Sequence, residues 1–198
     1  ISTRNAIPAT FSSDEVERIL ASVDRANPKG KRDYAILLLV TRLGLRSVDV
    51  RNLKFSDIDW HKKQLHIFQS KTQESVLFPL LDDIGWAIID YLKNGRPQTT
   101  CEYVFVKHIQ YNGYYGELET NPYSVLQKYL SRANIAAEYE RKQGLHALRH
   151  SLASELLLNE IPLPVISGIL GHVNSNSTSV YLKVDIPQLR RCALEVPL

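Results

Sequence analysis

The sequence predicts a mainly helical α+β domain that contains one small antiparallel sheet. Apolar residues recur at helical spacing through most of the chain, whereas the stretch at 65–78 follows the alternation of strands. Of the 198 residues, 44% are apolar, which is enough for one domain whose core needs neither disulfides nor metal. We find no internal repeat and no linker long enough to divide the chain into two such units.

The first helix has a clear start signal. Residues 12–15 read Ser-Ser-Asp-Glu, a capping-box pattern, and the amphipathic helix that it opens is expected to reach about Asp24. The Asn-Pro-Lys-Gly sequence at 27–30 is predicted to break it. Helical spacing and capping signals predict further helices, in chain order, at about 32–43, 47–54, 82–94, 122–134, from 145 onward, 164–170, 178–182 and 187–193.

One short sheet interrupts the helical pattern. Apolar and polar residues alternate at 65–68, and a second strand-like run follows at 76–78. The polar residues 69–73 lie between these runs, so the stretch is predicted to be a β-hairpin with a five-residue tip. A loop is expected at 111–116, which is rich in tyrosine and glycine.

Charge and cysteine content exclude some classes of protein. Lys and Arg number 24 against 21 Asp and Glu, and a net charge of +3 does not by itself indicate a nucleic-acid partner. Cys101 and Cys192 are too few for a disulfide framework and lack metal-ligand spacing. The longest apolar run, 35–40, is too short for a bilayer span, and no signal-peptide pattern opens the chain. We therefore expect a soluble protein of a reducing compartment. Because the chain begins at Ile1 and contains no methionine, we also expect it to be part of a longer protein.

The most informative segment begins the helix predicted from 145 onward. His146 and Arg149 lie three residues apart and share a helix face, beside the leucine stripe of that helix and close to the small Ala153. A polar pair that borders an apolar stripe over a small residue leaves room for a ligand. Taken alone, the pair is explained equally well as a solvated histidine and arginine on a helix edge.

Three other segments favour a functional site. A Gly-Leu-Arg sequence ends at Arg46, just past the glycine that is expected to stop a helix. Lys71 lies at the predicted hairpin tip. A Leu-Gly-His sequence ends at His172, nine residues before Tyr181.

With these segments the chain resembles, over residues 11–198, the catalytic domain of the tyrosine recombinases, the phage-integrase family. The pattern of that family is an arginine in a G-x-R box, a lysine in a β-hairpin, H-x-x-R, L-G-H, and a nucleophilic tyrosine nine residues after that histidine. Each box alone is a weak signal, but six boxes in order are a strong one. The six positions are filled by Arg46, Lys71, His146, Arg149, His172 and Tyr181.

The resemblance implies attack of a tyrosine on a DNA phosphodiester. Tyr181 is the implied nucleophile, although a phenol with an unperturbed pKa of about 10 is a poor one at neutral pH. Attack builds a second negative charge on the non-bridging oxygens. Arg46 and Arg149 would neutralise this charge with planar forks that a lysine matches less well.

Other residues would move protons or orient Arg46. His146 and His172 would donate hydrogen bonds to the phosphate or handle the phenolic proton. Lys71, a mobile lysine on a hairpin tip, would protonate the leaving 5′-oxygen. Asp49 would orient Arg46 from three residues along the chain, although a charge at the end of a short helix explains it equally well.

Metal binding is the main alternative for the histidines. His146 and His150 lie four residues apart on one helix, with His172 further along, but a zincin-type site needs H-E-x-x-H and residue 147 is alanine. A metal-dependent nuclease would need clustered carboxylates. The aspartates at 57, 59, 82 and 83 are explained more simply as turn and helix-start residues. We therefore expect no metal and no cofactor.

The resemblance implies a site-specific DNA recombinase or integrase that cleaves and rejoins strands through a 3′-phosphotyrosyl intermediate. Two alternatives stay open: a type IB topoisomerase, which rejoins the original strand, and a non-catalytic DNA-binding regulator of a mobile element. Residues 11–198 are the expected catalytic domain. Residues 1–10 are the expected linker from an N-terminal core-binding domain that clamps the far side of the DNA.

The implied partners are double-stranded DNA and other protomers in a tetrameric synapse, with no membrane, in the bacterial cytoplasm on the nucleoid. The last predicted helix would pack on its own domain or dock in trans on a neighbouring protomer. Its apolar face is formed by Ile186, Leu189, Ala193 and Val196. Candidate phosphate contacts are Lys54, Lys62, Lys63, Lys71, Arg132, Arg141 and Lys142.

Overall fold

About half of the described residues are helical, and one small antiparallel sheet accompanies the helices, as predicted. The computed structural model describes residues 10–118, 123–135 and 144–170. The helices are α1 (Ser13–Ala21), α2 (Pro28–Leu43), α3 (Ser47–Arg51), α4 (Asp82–Asn94), α5 (Tyr123–Arg132), α6 (Leu145–Leu158) and α7 (Leu163–Leu170), and one 3₁₀ turn spans Phe55–Asp57. The strands are β1 (Ile58–Asp59), β2 (Gln64–Gln69) and β3 (Glu74–Pro79). The helices predicted at 178–182 and 187–193 lie outside the described residues.

The capping box predicted at the start of α1 is present. The Ser12 hydroxyl accepts a hydrogen bond from the N–H of Glu15 at 3.2 Å, and the Glu15 carboxylate accepts one from the N–H of Ser12 at 2.7 Å. Both backbone donors would otherwise lack a partner within the helix. The helix ends at Ala21, before the Asp24 expected from the sequence, and at this end the Ser22 hydroxyl donates to the carbonyl of Ile19 at 2.7 Å.

The start of α2 differs from the sequence prediction. The second helix was expected from about residue 32, which is wrong, because Asn27 is the N-cap of α2 and its side-chain oxygen accepts from the N–H of Gly30 at 2.7 Å. Pro28 lies at the first helical position, where its missing N–H costs nothing and its fixed φ suits the helix. The helix therefore begins at Pro28 rather than near Arg32.

The predicted hairpin is present and carries a third strand that the sequence pattern missed. Its tip is 70–73 rather than the expected 69–73, because Gln69 is still part of β2 and pairs with Glu74. β2 pairs with β3 in antiparallel register, with Leu65 opposite Phe78 and Ile67 opposite Val76 on the buried face. β1 pairs antiparallel with the other edge of β2, which gives the strand order β1-β2-β3. A strand of two residues is too short to show an alternation in the sequence.

The apolar run at 35–40 is the centre of the core. All of its residues are at most 1% exposed, because α2 packs against α1, α4 and α6. A helix that is buried on several sides has a continuous apolar pattern rather than one apolar face. Leu152 and Leu156, further along α6, form a second cluster with α7. Within the described part of the chain, no helix is both long and apolar enough to cross a membrane.

Arg42 joins three helices. Its side chain is 8% exposed and lies 3.0 Å from Glu17 on α1 and 3.3 Å from Asp83 on α4. A buried charge requires such partners, since an unpaired one would be strongly destabilising. The two ion pairs tie α1 and α4 to α2.

A second buried polar network joins α2 to α5. Arg32 lies 2.7 Å from one carboxylate oxygen of Asp33, and the Tyr129 hydroxyl donates to the other at 2.9 Å. Arg32 also donates to the carbonyl of Val106 at 3.1 Å. Burial and the neighbouring Asp33 carboxylate raise the pKa of Tyr129, which therefore remains a protonated donor.

Candidate active site

A left-handed glycine determines where the first predicted arginine lies. Gly44 ends α2 with a φ of 62°, a conformation that glycine adopts without the steric cost that other residues bear. A Cβ at this position would lie 2.7 Å from a methyl carbon of Leu170, so the Leu170 side chain on α7 would have to shift to accept a larger residue. Beyond this turn Leu45 is buried in the core, and Arg46 becomes the N-cap of α3.

Arg46 is buried beside two acceptors. One of its Nη atoms donates to Oε1 of Gln69 at 3.1 Å, and the same nitrogen lies 3.9 Å from a carboxylate oxygen of Asp49. The side chains of Arg46 and Asp49 are 8% and 1% exposed. Because Asp49 follows Arg46 by three residues, the helical turn brings its carboxylate back to the arginine. At this distance the carboxylate attracts the guanidinium group, and the orienting role of Asp49 stays a prediction.

The same carboxylate anchors the hairpin tip. Asp49 accepts hydrogen bonds from the N–H of Ser70 at 3.1 Å and from its hydroxyl at 3.2 Å. Beyond the next residue, the Thr72 hydroxyl donates to Oε1 of Gln69 at 3.1 Å. Lys71 is exposed and lies between these two anchored residues. The backbone that carries Lys71 is therefore tied to α3 and β2, while its side chain reaches solvent.

Gln69 is a member of this cluster that the sequence interpretation missed. It is the last residue of β2 and is 2% exposed. Leu65 and Ile67 mark the buried face of the strand, and Gln69 continues the same period of two. A polar residue at a buried position of an alternating strand needs a hydrogen-bond partner, and this requirement is the signal that could have identified it.

The second predicted arginine enters the same region from α6. Arg149 is 6% exposed and donates hydrogen bonds to the carbonyl oxygens of Gly44 and Leu170. These carbonyls lie at the C-terminal ends of α2 and α7, where the helix dipole concentrates negative charge. Arg149 therefore holds together the junction from which Arg46 extends.

His146 lies in the first turn of α6 with an exposed side chain. Its pKa is lowered, first because the ring is partly removed from water and then because neighbouring positive charges, among them Arg149, Arg46 and Lys71, disfavour its protonation. The imidazole is therefore neutral at neutral pH, with one donor and one acceptor nitrogen. His146 precedes Arg149 by three residues on α6, so it lies on the same helix face as the arginine that contacts Gly44.

These contacts bring four of the six predicted catalytic residues to one region of the molecule. The four are Arg46, Lys71, His146 and Arg149. His172 and Tyr181 lie outside the described residues, and the catalytic roles of all six residues stay predictions.

The aspartates considered for a metal-dependent nuclease have local structural partners. Asp57 and Asp59 each accept a hydrogen bond from a backbone N–H of their own turn, at 2.8 and 2.9 Å. Asp82 and Asp83 lie in the first turn of α4, and each forms an ion pair. Among the residues that the structure describes, no three His, Cys, Asp or Glu side chains form a group that could hold a metal ion.

The described candidate phosphate contacts other than Lys71 already have partners in this structure. Lys54 and Lys63 each lie 2.8 Å from a carboxylate oxygen, Lys62 lies 3.8 Å from one, and Arg132 lies over an aromatic ring at 5.9 Å. Exposed ion pairs of this kind contribute little to stability. The candidates at 141 and 142 lie outside the described residues.

Comparison with known proteins decides the family. The model of the phage integrase family matches residues 9–186. The chain belongs to the phage integrase family. This confirms the resemblance that the six sequence boxes indicated.

Curated relatives of this family member are named as integrases and recombinases. The putative integrase/recombinase y4gC of Sinorhizobium fredii is 37% identical over 192 residues, which are 96% of this chain and 97% of the relative. The putative integrase/recombinase y4rA of the same organism is 38% identical over 98% of this chain but only 46% of its own length. Tyrosine recombinase XerC 2 of Ralstonia nicotianae is 31% identical over 92% of this chain and 51% of its own. The chain thus spans nearly all of the first relative and about half of the other two.

Solved structures of phage integrase family proteins share the fold. The XerA recombinase matches with a TM-score of 0.68 and 23% identity, over 100% of this chain and 69% of that protein. The XerH site-specific recombinase bound to palindromic difH substrate matches with a TM-score of 0.66 and 21% identity, over 96% of this chain and 53% of that one. These matches confirm the predicted fold, that of a tyrosine recombinase catalytic domain.

Proposed function

We propose that this chain is a site-specific DNA recombinase that cuts one strand of duplex DNA through Tyr181 and joins it to another strand. Attack by the phenolic oxygen forms a 3′-phosphotyrosyl bond and releases a 5′-hydroxyl. The 5′-hydroxyl of a partner strand then attacks the phosphorus and releases the tyrosine. One phosphate ester replaces another at each step, so the reaction needs no ATP. The observation that carries the proposal is the convergence of buried Arg46 and Arg149 beside the hairpin that bears Lys71.

Arg46 and Arg149 are suited to binding a phosphate whose charge increases during the reaction. Both are buried, and burial strengthens their attraction to the second negative charge that attack creates. Contacts with Gln69 and Gly44 hold the two guanidinium groups in place before DNA binds. A prepositioned charge needs no reorganisation in the transition state, and the planar fork matches two phosphate oxygens.

The histidines are proposed to handle protons and to donate to the phosphate. The lowered pKa of His146 leaves one nitrogen as a donor and the other as an acceptor at neutral pH. It can therefore bind a phosphate oxygen or take the phenolic proton. We assign the same two roles to His172 from the family pattern alone.

Lys71 is proposed as the general acid for the leaving 5′-oxygen. The hydrogen bonds from Ser70 to Asp49 hold the hairpin tip against α3, beside the arginine that would bind the phosphate. The lysine side chain is exposed and flexible, so its ammonium can reach the bridging oxygen and give up one proton as the bond breaks.

Double-stranded DNA is the proposed substrate. The XerH structure is bound to difH substrate, and the similar Tn1549 transposon integrase is in complex with circular intermediate DNA. By this likeness of fold, we propose that DNA lies across the hairpin tip and the first turn of α6. The exposed lysines of the hairpin region would then contact phosphates on either side of the cut.

Further partners are proposed from the family pattern. Four protomers would form the synapse, with the segment from Asp185 onward docking in trans on a neighbour. Deleting this segment should then impair synapsis of paired sites more than binding to one half-site. Equal loss in the two assays would indicate that the segment packs on its own domain.

We propose that residues 11–198 are the catalytic domain and 1–10 the linker from an N-terminal core-binding domain. Relatives of about twice the matched length support such a division. The proposed location is the bacterial cytoplasm, on the nucleoid, where the DNA substrate lies.

A strand-transfer assay tests the proposal against its alternatives. The cognate site is first recovered by sequencing DNA that remains attached to the full chain through denaturant. Two duplexes with this site, one of them labelled, are then incubated with the protein in EDTA. A recombinase transfers the labelled strand to the unlabelled partner. A type IB topoisomerase relaxes supercoiled plasmid without transfer, and a DNA-binding regulator forms no denaturant-stable adduct.

A further inference from the structure

Gln69 connects two parts of the candidate active site that must act on the same phosphate. Its side-chain oxygen accepts hydrogen bonds from Arg46 at 3.1 Å and from the Thr72 hydroxyl at 3.1 Å. Arg46 begins α3, whereas Thr72 lies in the hairpin tip next to Lys71. A single buried oxygen atom therefore joins the arginine to the hairpin.

The chemistry of Arg46 fixes the orientation of this amide. Arginine has N–H donors and no acceptor, so only the oxygen of the Gln69 amide can face it. The Gln69 side chain is 2% exposed, and bulk water cannot replace a hydrogen bond that is lost there. Gln69 is thus held in one arrangement by both donors.

A neutral acceptor has an advantage over a carboxylate at this position. Asp49 already places a carboxylate oxygen 3.9 Å from the same Arg46 nitrogen. A second carboxylate would offset the positive charge that Arg46 needs to bind a phosphate. The amide of Gln69 holds the guanidinium group without adding negative charge.

Two anchors fix the backbone on either side of Lys71. Asp49 binds Ser70 before it, and Gln69 binds Thr72 after it. Both anchors also lie beside Arg46, so the position of the hairpin tip is set relative to that arginine.

We propose that Gln69 is a positioning residue that holds the hairpin tip in register with Arg46, so that Lys71 reaches the leaving oxygen of the phosphate that Arg46 binds. The inference rests on the proposed function, since it requires Lys71 to be the general acid. Gln69 acts through Thr72 and Arg46. Misplacement of a reacting group by about 1 Å lowers the rate about 10²-fold, which sets the size of the expected effect.

Thr72 offers the sharpest test because its hydroxyl reaches Gln69 from the hairpin side. Thr72→Val removes the hydroxyl at nearly constant shape, and Thr72→Ser keeps it. Each variant of the full chain is tested on a nicked duplex in which the bridging 5′-atom is oxygen or sulfur. A thiolate leaves without a proton because thiols have a pKa of about 8.5, so the sulfur substrate bypasses the general acid.

We expect Thr72→Val to slow cleavage of the oxygen substrate by roughly 10- to 100-fold and to recover most of this loss with sulfur. Thr72→Ser should stay within about threefold of the unsubstituted chain.

Two substitutions of Gln69 separate its hydrogen bonds from its neutrality. Gln69→Leu removes both hydrogen bonds and should slow cleavage of the oxygen substrate, with part of the loss recovered by sulfur. Gln69→Glu keeps both acceptor contacts but adds charge beside Arg46. It should therefore slow cleavage of both substrates alike, without recovery by sulfur.

Lys71→Ala, measured in parallel, distinguishes failure of the inference from failure of the proposed function. Recovery with sulfur in Lys71→Ala but not in Thr72→Val would overturn the positioning role and leave the general acid in place. An unimpaired Thr72→Val variant would overturn it as well. If sulfur fails to rescue Lys71→Ala, the proposed role of Lys71 is wrong and the positioning role fails with it. Absence of cleavage by the unsubstituted chain on both substrates would contradict the recombinase function itself, and the inference with it.

Discussion

Arg149 on α6 donates a hydrogen bond to the backbone carbonyl of Gly44, the residue that ends α2. The same guanidinium group donates to the carbonyl of Leu170, the last residue of α7. Arg46 follows Gly44 by two residues and lies at the start of α3. The two arginines predicted to bind phosphate therefore belong to one junction, and a change that disturbs Gly44 should move both.

Replacing Gly44 by alanine should destabilise the fold and slow DNA cleavage. A φ of 62° costs a non-glycine residue about 1–2 kcal/mol, and the new methyl would meet Leu170 at 2.7 Å and Leu152 at 3.1 Å. Gly113→Ala is the matched control, because Gly113 has a φ of 79° with nothing within 4 Å of a Cβ. Urea unfolding should show the larger loss of stability for Gly44→Ala, and only that variant should lose cleavage rate. Equal effects of the two changes would mean that the approach of α7 imposes no constraint.

We expect that lysine cannot take over the function of Arg46 or Arg149 in DNA cleavage. Arg46→Lys and Arg149→Lys are each expected to lower the single-turnover rate of adduct formation by roughly 10²-fold or more, because an ammonium group cannot form the planar fork. Arg149→Lys should also lower the urea midpoint, since one ammonium cannot reproduce the two directed bonds to Gly44 and Leu170. A lysine variant that cleaves at the full rate would remove that arginine from the site.

Elements with complete local signals were predictable from the sequence. α4 is expected at 82–94 and is found at Asp82–Asn94, where two aspartates begin the helix and Gly95 follows it. The start of α2 was mispredicted because Pro28 can either stop a helix or occupy its first position. The capping contact of Asn27 with Gly30 shows that Pro28 occupies the first helical position. This contact forms only in the folded chain, so the sequence pattern does not reveal it.

The sequence predicts those residues of the candidate site whose own side-chain chemistry forms a family motif. It does not predict residues whose role depends on partners that only the fold brings together. The Arg, Lys and His boxes indicate phosphate binding and proton transfer without any knowledge of the fold. Gln69 has no such motif, because its importance comes from contacts with Arg46 and Thr72 that form only when the hairpin packs on α3. The carbonyl partners of Arg149 are likewise set by the meeting of three helices.

His108 should make the protein less stable as the pH falls. Its Nε2 lies 3.3 Å from the Tyr91 hydroxyl, and burial, with the positive charge of Arg32 second, lowers its pKa from 6.5 to about 4. Between these two values the unfolded chain binds a proton that the folded chain does not, so stability is present above the unfolded pKa and is lost as the pH falls through this window. The urea midpoint should therefore drop between about pH 7 and about pH 4.5, and drop less in His108→Gln. An equal drop in both proteins would show that His108 titrates normally.

Covalent trapping on a nicked duplex that carries the cognate site tests the central claim most directly. After cleavage the short released strand diffuses away, so a 3′-phosphotyrosyl adduct accumulates and can be mapped by mass spectrometry of its peptide. The adduct of the unsubstituted chain should map to Tyr181. Tyr181→Phe should form no adduct while it binds the same duplex within about threefold, because the hydroxyl is the nucleophile and contributes little to ground-state binding. An adduct that persists in Tyr181→Phe, or one that maps to another residue, would contradict the account.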